Sequence, residues 1–102
     1  MTPGTSARAI EAMVRGHVQG VGFRWFVLRQ AAVLDVSGWV ANERDGTVRV
    51  VAEGPPEEVG LLLAALREGP PGADVMEVAV AEHPATGGFD GFSVRSGWHS
   101  GD

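Results

Sequence analysis

Apolar and polar positions alternate from Arg8 to Arg15. Ile10, Ala12 and Val14 fall on one face, Glu11, Met13 and Arg15 on the other. A period of two predicts a half-buried strand. The alternation stops at GHVQGVG (16–22), where three glycines occur in seven residues. Beyond it Phe23, Phe26, Val27, Ala31 and Leu34 recur at helical intervals, predicting a helix of about three turns over 23–34. VSGWVAN (36–42) and TVRVVAE (47–53) read as a second and a third strand. Asp45-Gly46 between them predicts a hairpin, because glycine readily takes the positive φ that such turns require.

The tetrapeptide EGPP occurs at 53–56 and again at 68–71, as punctuation and not as a repeat. The first copy puts proline in the opening turn of a helix, where its missing N–H costs nothing. The second ends that helix at Gly69 and forbids its continuation. Val59, Leu62, Leu63 and Leu66 form the apolar stripe between them. DVMEVAVAE (74–82) alternates as a fourth strand, and GFSVR (91–95) predicts a short closing one. The order is β-α-β-β-α-β plus that strand. It predicts an α+β, ferredoxin-like sandwich with an antiparallel sheet and two helices on one face. One such domain over 8–96 is expected, with residues 1–7 and 97–102 as loose tails.

Composition removes several function classes. The chain has no cysteine, so disulfides, thiolate zinc sites and thiol nucleophiles are excluded. Its three histidines, His17, His83 and His99, are too scattered to suggest a metal cluster. The formal net charge of −5 argues against a general nucleic-acid binder. The predicted central strands also lack the exposed aromatics of an RNA-recognition sheet. No apolar run reaches membrane-spanning length. With no segment resembling a signal peptide, the expectation is a cytoplasmic protein. All eight basic residues are arginine, so any anion site must use arginine or backbone N–H groups.

A glycine loop between a strand and a helix N-terminus makes a ready anion cradle, since N–H groups can converge there and the helix dipole favours negative charge. Arg24 sits in the first helical turn, where a cation is disfavoured unless an anion lies beside it. Its planar guanidinium grips phosphate bidentately. The loop lacks the Lys-Ser/Thr of a Walker A motif and the third glycine of a dinucleotide fingerprint. A small phosphate group bound without metal or other cofactor fits better. The helix travels about 18 Å down the sheet at 1.5 Å per residue. The strand 36–42 climbs back about 23 Å at roughly 3.3 Å per residue. Asn42 therefore returns to the edge where the loop sits. Its neutral amide donates and accepts at once, enough to hold a water.

GHVQGVGFR followed by SGWVANERDGTV resembles the acylphosphatase family, whose pattern runs G-x-V-Q-G-V-x-F-R and then G-W-V-x-N-x-x-D-G-x-V. The similarity runs over roughly residues 8–96. It implies a small, monomeric, ferredoxin-like enzyme that hydrolyses carboxyl-phosphate anhydrides without a metal. It further implies that Arg24, with the N–H groups of Gly16, His17, Val18, Gln19, Gly20, Val21, Gly22 and Phe23, binds phosphate, and that Asn42 orients the attacking water. His17 is expected to face solvent, Val18 and Phe23 to anchor the core, and Trp25 and Trp39 to pack near the site without doing chemistry. Two positions depart from the family pattern. Leu34-Asp35-Val36 stands where Leu-Gly-Leu is common, which asks aspartate to serve as the left-handed cap. Arg49 replaces an acidic residue and reads as a surface change. Two other readings use the same pattern: a non-catalytic module binding a small anion, and the acylphosphatase-like domain of a longer carbamoyl-transferring protein.

Overall fold

A computed structural model describes residues 7–95. The segments 1–6 and 96–102, which hold nearly all of both expected tails, lie outside the described residues. The elements are β1 (Arg8–His17), α1 (Phe23–Ala32), β2 (Ser37–Asn42), β3 (Val48–Gly54), α2 (Pro56–Glu68), β4 (Asp74–His83) and β5 (Phe92–Arg95). The sheet order is β4-β1-β3-β2-β5. The first four strands pair antiparallel, but β5 lies parallel to β2, with Gly38 opposite Phe92 and Ala41 opposite Arg95. The sheet is therefore mixed. The cause is the connection: β4 ends at one sheet edge and the chain crosses to the other before entering β5.

That crossing is held by a carboxylate. Glu53 in β3 is buried, and its oxygens accept from the Thr86 N–H (3.0 Å), the Thr86 hydroxyl (2.9 Å) and the Gly87 N–H (2.9 Å). These donors, the Thr86 backbone N–H foremost, hold the Glu53 carboxyl below the usual carboxylate range.

The core lies between the sheet and both helices. Ile10, Ala12 and Val14 of β1 meet Val48, Val50 and Ala52 of β3, while Val59, Leu62, Leu63 and Leu66 of α2 cover them. α1 packs on β2 and β5, and α2 on β1, β3 and β4. β1 runs two residues past the expected Arg15 because a bulge between Arg15 and Gly16 lets pairing with β4 continue to Asp74. At Gly16, φ is 132° and a Cβ would lie 2.0 Å from the Asp74 carbonyl oxygen, so only glycine fits.

α1 is shorter than expected and ends differently. Val33 and Leu34 donate to the Gln30 and Ala31 carbonyls, tightening the last turn into i→i−3 bonds. Among the described residues no non-glycine has positive φ, so Asp35 is not the left-handed cap expected there. Its N–H instead donates to Glu58 at 3.1 Å. Arg49, on the sheet face away from the helices, pairs with Glu11, which also lies 3.3 Å from His83.

Candidate active site

The left-handed glycines set the loop's path. Gly20 (φ 75°) and Gly22 (φ 77°, ψ 22°) adopt a conformation that costs other residues about 1–2 kcal/mol. Gly22 is the N-cap of α1 and offers no side chain to the first turn, and that turn holds no acidic residue. The N–H groups of a helix's first turn have no acceptor within the helix, so this end suits an anion.

One contact joins the loop to the opposite hairpin. Gln19 Nε2 donates to the Glu43 carbonyl at 2.7 Å and to the Thr47 carbonyl at 2.9 Å. Those carbonyls belong to the turn that leaves β2 directly after Asn42. The turn is itself shaped by Asp45, whose Oδ1 accepts from the Thr47 hydroxyl (2.6 Å) and N–H (3.0 Å). The same bonds, led by the hydroxyl, hold the Asp45 carboxyl below its usual range. Nothing local in the sequence signals the Gln19 clamp, because its partners lie 24 and 28 residues away.

Arg24 is 6 % exposed and Asn42 4 %, both unusually buried for their types. The Arg24 Nη1 donates to the Arg95 carbonyl at 3.2 Å, so the end of β5 helps to orient the guanidinium. Arg95 in turn lies over the Trp39 ring, 4.3 Å from its centroid. Nothing in the sequence gives β5 a part in the site, since only the strand order brings Arg95 beside it.

The loop, Arg24 and Asn42 meet around one hollow of about 20 Å³, lined by Val18, Gly20, Gly22, Phe23, Arg24, Trp25 and Asn42. That is room for about one water molecule. Val18 and Phe23 are buried core residues. Of the other loop residues, Gly16 is taken up by the close approach to β4, His17 is exposed opposite Asp74, and Val21 leans on the core. Trp25 lies beside the site, as expected, but at its surface. It is 55 % exposed and does not pack away. A second, wider pocket of about 500 Å³ is bounded by Trp39, Ala41, Asn42, Glu43, Arg44, Asp45 and Arg95. Asn42 lines both. Among the described residues there is no group of three or more His, Asp or Glu placed to hold a metal.

Fold and hollow together define a small ferredoxin-like domain with an anion-type loop facing an asparagine. Comparison with known proteins gives the family. Its model, acylphosphatase, matches residues 10–94. The chain is 50 % identical over 95 residues to the acylphosphatase of Salinibacter ruber, covering 93 % of this chain and 99 % of that protein. It is similar to the crystal structure of acylphosphatase from Bacillus subtilis, with TM-score 0.83, 36 % identity, and coverage of 86 % of this chain and 98 % of that one. The structure of an acylphosphatase from Coxiella burnetii matches with TM-score 0.83 and 35 % identity, over 92 % of this chain and all of that one. The chain belongs to the acylphosphatase family.

Proposed function

We propose that this protein hydrolyses acyl phosphates to a carboxylate and inorganic phosphate, with Arg24 and the loop N–H groups holding the phosphoryl group and Asn42 orienting the water. Family membership supports the activity. The observation that carries the assignment of residues is the shared hollow, where the loop, Arg24 and Asn42 converge although Asn42 is eighteen residues downstream of Arg24.

The chemistry asks for positioning and charge more than for proton transfer. The water oxygen forms a bond to phosphorus as the bond to the acyl oxygen breaks, its electron pair leaving on the carboxylate. Both water protons end on the phosphate, released as dihydrogen phosphate. A carboxylate is the base of an acid with pKa of about 4, so it departs without a general acid. Charge on the equatorial oxygens is met by the Arg24 guanidinium and converging N–H dipoles, already oriented before the reaction. The reading calls for no partner chain. It also calls for no metal.

The test is hydrolysis of benzoyl phosphate in EDTA by wild type, Arg24→Ala and Asn42→Ala. Wild-type turnover is expected to persist in the chelator. Each variant should lose about 10²–10³ in kcat/KM, the usual cost of one aligned donor, with Arg24→Ala also raising KM. Folded wild type that binds phosphate without turning over the substrate would leave an anion-binding module in place of an enzyme.

A further inference from the structure

The hollow has room for only about one water molecule, so the acyl group must lie outside it. Its rim is unevenly built. Val18, Phe23, Arg24 and Asn42 are buried, and Gly20 and Gly22 have no side chain. That leaves Trp25 as the one lining residue with a large exposed side chain. Successive helical residues turn by about 100°, so with Arg24 directed into the protein, Trp25 is carried to the mouth.

In-line displacement puts the acyl group and the water on different sides. The attacking water and the leaving group stand on opposite sides of phosphorus. On the reading proposed above Asn42 belongs to the water side, and it also borders the wide pocket of Trp39 and Arg95. Trp25 lines the hollow but not that pocket. The ring contacts among the described residues are Phe23 with Phe26 and Arg95 over Trp39, so the indole of Trp25 has no stacking partner there. A half-exposed indole at the mouth presents a broad apolar face to whatever leaves the hollow on that side.

We infer that Trp25 contacts the acyl group and sets specificity, favouring acyl phosphates with an aromatic or comparably broad apolar acyl group over those with a small one. This rests on the acyl phosphate hydrolysis proposed above. Its test compares kcat/KM for benzoyl phosphate and acetyl phosphate in wild type, Trp25→Phe and Trp25→Ala. In Trp25→Ala the benzoyl-to-acetyl ratio is expected to fall about threefold to tenfold, the size of one aromatic contact. The loss should appear in KM, since the ring binds ground state and transition state alike. Trp25→Phe should recover most of the ratio. Because Trp25 is largely exposed, both variants should keep the wild-type melting temperature within a few degrees, which a thermal melt checks. Equal losses on both substrates would make Trp25 a structural residue and overturn the inference while leaving the activity standing. Wild type that turned over neither substrate would instead remove the reading beneath it.

Discussion

Replacing Gln19 by alanine should separate the glycine loop from the hairpin that carries Asn42. The amide makes two bonds, of 2.7 and 2.9 Å, to carbonyls in a partly buried setting. Each such bond contributes about 0.5–1.5 kcal/mol net, so their joint loss costs about 2 kcal/mol. For a domain of this size that lowers Tm by about 8–16 °C. Activity should fall too, by roughly tenfold, because the phosphate loop and the water-orienting asparagine no longer share a fixed distance. Gln19→Glu sharpens the test. At neutral pH it places a carboxylate against two carbonyl oxygens and should be less stable than Gln19→Ala. That environment raises the folded-state pKa of the new acid above its unfolded value. Its penalty is thus absent below the unfolded pKa and grows as pH rises through the folded one. Urea melts of both variants at pH 4 and pH 7, with kcat/KM for benzoyl phosphate, provide the measurement. If Gln19→Ala melts with wild type and keeps kcat/KM within twofold, the clamp has no bearing on fold or site.

The glycines separate two causes of strain. Gly22→Ala meets open space, so it should cost only the left-handed penalty of about 1–2 kcal/mol in a urea melt. Gly16→Ala drives a methyl group into the Asp74 carbonyl and should cost more than Gly22→Ala, about 3 kcal/mol or above in the same assay. Glu53 governs an acid limb of stability. Its folded pKa lies below the ordinary value, so its contribution is present above the unfolded pKa and is lost as pH falls through the folded one. Denaturation curves from pH 6 to pH 3 should therefore be flatter in Glu53→Gln, and an unchanged slope would remove Glu53 from that role. Leu62→Ala, at a fully buried position of α2, should destabilise by about 2–5 kcal/mol on urea unfolding.

The periodicity of the chain determined every element, because the residues that alternate or recur are those that must face one core. Ile10, Ala12 and Val14 on β1, and Val59, Leu62, Leu63 and Leu66 on α2, are buried as their spacing requires. The double motif led to Arg24 and Asn42 for a related reason: strand and helix lengths bring those positions to one end of the sheet before any contact is known. Contacts between distant segments were not legible. The Gln19 clamp, the Arg95 carbonyl under Arg24 and the Glu53 hold on Thr86 and Gly87 join residues 24 to 71 positions apart. Pattern does not encode which strands become neighbours across a sheet. β5 took the edge left open by β2 although β4 leaves another, and the α1 terminus tightens where Asp35 has Glu58 beside it. Whether Trp25 was covered was likewise a tertiary matter, since an aromatic next to a buried arginine can pack inward or stand at a rim. Local sequence thus sets which residues a strand or helix presents, and the order of strands decides what they meet.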